Sequence, residues 1–248
     1  MICAKDDSGT TCEECYCMFN PIVVIATHER VEITTININL LKQQSVVPKI
    51  VIVCSLQEEL EYYKTLGVTV ILENNTPLGH KWQMGVNAAI NMKANPLIIL
   101  GSDDLLYSDY VKLVLTKMKE GYDFFGCTSW YSYDLKRHDM YFSMYVGKNE
   151  NFPIGSGKAY SGEMLARFRG KVFNQEASRK LDDQGYTMVV KNQGKIYIHR
   201  EPEILAIKGG WMELNPIEAY MRVPTIHTIR TDTEMLKRFN YDYTPNKA

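Results

Sequence analysis

The chain has 248 residues, 45% of them hydrophobic and 23% charged, with 28 basic against 29 acidic side chains and a formal net charge of -1. That is enough apolar material for one large core or two small ones, and too little net charge to draw the chain to nucleic acid or an anionic membrane by long-range attraction. No apolar run approaches the roughly 20 residues of a membrane span.

The first segment, "MICAKDDSGTTCEECYC", is acidic and lacks the apolar stretch of a secretory leader, so a cytoplasmic, reducing location is expected. Cys3, Cys12, Cys15 and Cys17 crowd into it. Their spacing departs from the paired C-x2-C of zinc sites, and a tail of free thiols over residues 1–20 is the expectation. Cys54 and Cys127 lie in apolar runs and read as buried thiols.

From Pro21 the pattern becomes regular. "PIVVIAT" (21–27) is a β-branched apolar run, the mark of a strand buried on both faces. "ERVEITTININLLKQQ" follows with Ile33, Ile36, Leu40 and Leu41 at helical spacing. "KIVIVCS" (49–55) predicts a second strand. "LQEELEYYKTLG" predicts a helix with Leu60 and Tyr63 inward and Gly67 at its end. "VTVILEN" (68–74) is a third strand, "GHKWQMGVNAAINMK" a helix, "PLIILGS" (96–102) a fourth strand, and "SDYVKLVLTKMKEG" a helix with Ser108 as N-cap and Gly121 beyond its end. Such alternation specifies an α/β fold: a mainly parallel sheet flanked by helices.

The second half reads differently. "YDFFGCTSWYSYD" and "MYFSMYVG" are aromatic-rich strands, expected to extend the sheet in mixed fashion. "NFPIGSGKAYSGEMLARF" is a glycine-rich loop entering a short helix, and "DDQGYTMVVKNQG" a helix before the strand "KIYIH". The last forty residues read as irregular. The expected organisation is one domain over 21–210, with halves 21–105 and 106–210, and a C-terminal segment over 211–248.

Ligands of open α/β sheets bind beyond the carboxyl ends of the strands. That edge collects Thr27, Ser55, Asn74, Asn75, Ser102, Asp103 and Asp104. Two adjacent carboxylates at a core edge repel and resist burial. A divalent cation such as Mg²⁺ or Mn²⁺ would neutralise them; alternatively they open a loop and cap the next helix.

In order and spacing, "PIVVIATHER", "IVIVCS", "ENNTPLGHKWQMGVNAAI" and "LIILGSDDLL" resemble the nucleotide-binding half of GT-A glycosyltransferases of the family 2-like group. Ala26-Thr27-His28-Glu29-Arg30 is similar to the turn after their first strand. Asn75, Gly79 and Gly85 loosely match their next motif, and Gly101-Ser102-Asp103-Asp104 matches their D-S-D-D. The resemblance implies a GT-A fold and transfer of a sugar, with inversion, from a nucleotide-diphosphate donor (UDP favoured) to a glycan or other hydroxyl acceptor. It implies Mn²⁺ or Mg²⁺ at Asp103 and Asp104. Nucleotide-sugar contacts would come from Ala26, Thr27, His28, Arg30, Ser55, Asn75, Gly79, Lys81, Ser102, Asp103 and Gly157. In "KLDDQGYTMVVKNQG" it places Asp183 as the catalytic base, with Asp182 beside it; two acids favouring a helix N-terminus is the other reading.

Three departures stand out. Gly101 replaces the first Asp of the D-S-D-D pattern. Cys54-Ser55 stands where a base-reading acid is common, and Lys81-Trp82 where an Arg is expected. Lys81 is either a diphosphate contact or a solvated helix-face lysine, and Trp82 reads as core. Arg222, His227 and Arg230 are candidates to cover the diphosphate, or part of a solvated tail. Two other functions fit the same sheet: a nucleotidyltransferase that makes the activated sugar, and a non-catalytic binding module. The absence of glycine from "ATHERVEI" counts against the first.

Overall fold

A computed structural model describes residue 16 and residues 18–181, 183–209 and 221–241. Its elements run β1 (Ile22–Ala26), α1 (Val31–Leu41), β2 (Lys49–Cys54), α2 (Gln57–Thr65), β3 (Thr69–Leu72), α3 (Leu78–Asn91), β4 (Leu97–Gly101), β5 (Asp104–Leu106) and α4 (Tyr110–Lys119). They continue with β6 (Phe124–Cys127), β7 (Ser129–Asp134), β8 (Asp139–Tyr145), β9 (Lys158–Tyr160), α5 (Gly162–Arg167), α6 (Gln184–Lys191), β10 (Ile196–His199), β11 (Ile204–Lys208) and β12 (Ile226–Thr231).

The strands form two sheets. The larger has the order β10-β6-β9-β4-β1-β2-β3, and the smaller β12-β8-β7-β11-β5. β1 is central and parallel to both β2 and β4. Ile22, Val23, Val24 and Ile25 are wholly buried, and each such side chain contributes about 1.5–3 kcal/mol of burial free energy. Their alternation divides the core. Val23 and Ile25 pack with Ile38, Tyr63, Val111 and Val114 on one face. Ile22 and Val24 pack with Val86, Ala89, Met164 and Val189 on the other. Helices therefore cover both faces, as the run of β-branched residues requires.

The second half is not a simple extension of the first sheet. β9, β6 and β10 extend the larger sheet, while β7, β8 and β11 build the smaller one. The short β5 joins them: its Leu105 packs with Tyr131, Leu205 and Ile207, and it pairs antiparallel with β11. The C-terminal segment is more regular than expected, since β12 pairs with β8 along six residues. Asp109, not Ser108, precedes α4 as its N-cap, with no side-chain capping bond. Gly67 and Gly121 do end their helices with φ of +67° and +85°, a conformation that costs glycine little. Cys54 and Cys127 are buried free thiols. The cysteines at 3, 12, 15 and 17 lie outside the described residues.

Candidate functional site

The larger sheet changes direction of growth between β1 and β4, the place where such sheets bind ligands. Ala26 and Gly101 are register partners at the two strand ends. Beyond them the chain turns through Thr27–Arg30 and through Ser102–Asp104. Asn37 of α1 holds the second turn, its amide donating to the carbonyls of Gly101 (3.2 Å) and Asp104 (2.9 Å). The Ile207 amide donates to the Asp103 carbonyl at 2.8 Å. The second turn is thus fixed from both sheets.

A cavity of about 220 Å³ opens here. Its charged lining is Arg30, Asp103, Asp104, Lys158 and Lys208, and its aromatic lining includes Trp82, Phe173, Trp130 and Tyr145. Trp82, expected as core, stacks on Phe173 with centroids 5.8 Å apart. Trp130 meets Tyr145 at 5.5 Å.

Asp103 is ion-paired on both oxygens. Arg30 Nη1 lies 3.2 Å from Oδ1, and Lys208 Nζ donates to Oδ2 at 2.9 Å. Arg30 also donates to Ser102 Oγ at 3.3 Å. Burial by itself would raise the Asp103 carboxyl; Lys208 and then Arg30 outweigh it and hold the group below its ordinary value. Asp104 has the opposite fate. Burial, and then the charge of Asp103, push its carboxyl up to about 6.

Gly101 has a steric reason. A methyl group on its Cα would overlap Asp104 Oδ2, so a first Asp in the motif and this placement of Asp104 exclude each other. Its amide donates to Ser156 Oγ at 2.9 Å.

The implied divalent cation does not fit this donor set. Both oxygens of Asp103 already face cations, and Asp104 Oδ2 fills the space above Gly101. No group of three His, Cys, Asp or Glu side chains among the described residues is placed to hold a metal ion. Two like unit charges 4 Å apart repel by about 4 kcal/mol at the effective dielectric near a protein surface. A dication beside Asp103 would meet repulsion of this kind from both Arg30 and Lys208, which offsets the attraction of the carboxylates.

The other residues expected at the site separate into groups. Lys81 is neither solvated nor turned to a phosphate: it is 1% exposed. Its ammonium donates to the Thr27 carbonyl, to Ser55 Oγ and to Asn75 Oδ1, so all three of its N–H groups have acceptors. Burial lowers its pKa to about 8, with Glu59 opposing. Lys81 thereby ties the loops after β1, β2 and β3 together. Glu59, which no sequence motif marks, ties the loops after β1 and β2 from α2, accepting from the amides of Glu29 (2.7 Å) and Ser55 (3.2 Å). His28 sits at this edge with a buried Nδ1 that has no hydrogen-bond partner among the described residues.

Gly79 packs against backbone: its amide donates to the Ala177 carbonyl at 2.7 Å, and a Cβ would overlap the Asn174 carbonyl. Gly157 is also a packing glycine, with φ +75° and the space of its Cβ taken by Ile204 and Tyr110. Gly155 and Ser156, not Gly157, line the cavity. Asp183 is exposed at the start of α6 and does not line the cavity, although Leu181 does. Asp182 lies outside the described residues. Arg230 pairs with Asp139, while Arg222 and His227 are exposed. None of these three lines the cavity.

Lys158 and Lys208 belong to the site without any motif to announce them. Both are buried, at 2% and 6% exposure, and both sit in otherwise apolar strands. A lysine inside such a run is the signal that could have found them, because buried lysines are rare unless paired.

No protein-family model and no curated protein matches the sequence. Among solved structures, the chain is similar to S. aureus TarS, with a TM-score of 0.59 at 14% identity. The match covers 76% of this chain and 37% of that one, so the chain spans well under half of its length. A CMP:2-keto-3-deoxy-manno-octonic acid synthetase complexed with CTP matches over 74% of this chain and 90% of that one, at 12% identity and a TM-score of 0.49, too low to weigh. The fold is GT-A-like: a mainly parallel sheet with helices on both faces.

Proposed function

We propose that this protein is a glycosyltransferase that moves a sugar from a nucleotide-diphosphate donor, UDP favoured, to an acceptor hydroxyl with inversion. The observation that carries the reading is the cavity at the β1–β4 switch point. It combines cations able to meet a departing diphosphate with flat aromatic walls able to stack on a sugar ring. The GT-A-like fold places such a cavity where its sheet topology favours a ligand.

Inverting transfer needs a base that takes the acceptor proton as the hydroxyl attacks. The acids at 182 and 183 are the candidates, immediately after cavity-lining Leu181. The acceptor is a glycan or another hydroxyl compound. The single domain over 21–210 and a cytoplasmic location belong to the same proposal; no helix among the described residues is long and apolar enough to cross a membrane.

A thermal-shift screen of nucleotide sugars tests the donor class. A donor at 100 times its Kd stabilises by about 2.7 kcal/mol. A shift with one nucleotide family, absent with free sugars, is expected; no shift with any nucleotide sugar contradicts the reading.

A further inference from the structure

The Asp103 site is a poor home for a divalent cation, yet a diphosphate donor needs its charge met. Resting on the proposed donor class, we infer that the cavity binds the diphosphate of its donor without a metal ion, using Arg30 and Lys208 as the counter-charges.

The two cations arrive from opposite sides of the fold. Arg30 is the residue before α1, in the first half of the chain. Lys208 ends β11, in the smaller sheet. They meet on the two oxygens of one carboxylate, at 3.2 and 2.9 Å. Like charges brought this close repel, and Asp103 is the anion that holds them side by side. It acts here as a positioning residue for two cations.

The three positions that would build a metal site are each committed elsewhere. Position 101 has no side chain, and a Cβ there would overlap Asp104. Asp103 is ion-paired on both oxygens. Asp104 fills the space above Gly101, with Ser156 as a hydrogen-bond partner. The lining among the described residues holds three cations, Arg30, Lys158 and Lys208, against two carboxylates.

A diphosphate matches that arrangement. Its oxygens accept charge-assisted hydrogen bonds from guanidinium and ammonium groups. On binding, they share Arg30 and Lys208 with Asp103, and the charge a metal would neutralise is met by side chains already in place. The ordering of the two cations is then complete before the donor arrives, which lowers the cost of binding.

Opposite expectations for Asp103 separate this from metal-dependent binding. If Asp103 were a metal ligand, its amide would lose both metal and nucleotide. If Asp103 instead positions Arg30 and Lys208, its amide changes nucleotide affinity by the same factor with and without metal.

Calorimetric titration of the full chain with UDP, CDP, GDP and ADP, first in EDTA and then in Mg²⁺ or Mn²⁺, decides the question. One diphosphate is expected to bind in EDTA with the affinity it shows in metal. Asp103→Asn is expected to bind the diphosphate equally in EDTA and in metal, and Lys208→Gln to lose about tenfold or more. Should Lys208→Gln fail to fold, Arg30→Gln carries the same expectation at a partly exposed position. Binding seen only with metal and lost in Asp103→Asn overturns the inference and leaves the donor class standing. A folded Lys208→Gln or Arg30→Gln that binds like wild type in EDTA also overturns it. No binding of any diphosphate under either condition removes the donor class and the inference together.

Discussion

Lys208 Nζ and Asp103 Oδ2 lie 2.9 Å apart across 105 residues of sequence, joining the end of β11 in the smaller sheet to the turn after β4 in the larger. Both side chains are nearly excluded from solvent, and Arg30 approaches the same carboxylate from the start of α1. Removing one member of a buried ion pair leaves an uncompensated charge. Lys208→Met should therefore lower stability by about 3 kcal/mol in a denaturant melt, softened by the Arg30 contact that remains. The double variant Asp103→Asn/Lys208→Met should recover most of that loss.

Gly101 and Asp104 form a second testable pair. Gly101→Ala places a methyl group on Asp104 Oδ2, and overpacking of this kind costs about 1–3 kcal/mol. Asp104→Ala removes the obstructing atoms, so the double variant should tolerate the added methyl group far better than the wild-type background does. Additive losses in a double-mutant cycle would show that the two positions do not compete for space.

The raised carboxyl of Asp104 gives a signed pH dependence. Burial and Asp103 hold it at about 6, against an ordinary value of 3.8. Between those values the folded chain binds the proton more tightly than the unfolded chain, so this group's contribution to stability falls as pH rises from about 4 to about 6. Asp104→Asn should flatten that part of the curve and be at least as stable as wild type at pH 7. An unchanged slope in the variant would contradict the assignment.

Much of the first half is legible in the sequence because parallel strands buried on both faces must be continuous apolar runs, and Gly67 and Gly121 mark helix ends in residue type alone. The second half resists for physical reasons. Which sheet an aromatic strand such as β7 joins is decided by partners far along the chain. β5 has only three residues, too few to show a period. The carboxylates at 103 and 104 are visible in the sequence, but the cations that meet them are not. Lys208 reaches Asp103 only because β11 pairs with β5 and β7. Lys81 looks like any helix-face lysine until the carbonyl of Thr27 and the hydroxyl of Ser55 close over it.

The acids at 182 and 183 separate by substitution. Asp183 is exposed, makes no side-chain capping bond and lies outside the cavity lining. Asp183→Asn should change stability by about 0.5 kcal/mol or less, and transfer should continue at close to the wild-type rate. Asp182→Asn should carry the loss of a general base, about 10²- to 10⁴-fold in rate, with nucleotide affinity unchanged. A dead Asp183→Asn variant with intact donor binding would make that residue the base.

Turnover tests the glycosyltransferase reading most directly. A panel of nucleotide sugars, each incubated with the protein and followed by NMR, reports both release of the nucleoside diphosphate and the anomeric configuration of the sugar product. One donor should be consumed in proportion to enzyme concentration, its anomeric centre should invert, and Lys208→Gln should suppress the reaction. If no nucleotide sugar is consumed, while a nucleoside triphosphate and a free sugar or sugar phosphate react with release of pyrophosphate, the protein makes activated sugars and does not transfer them.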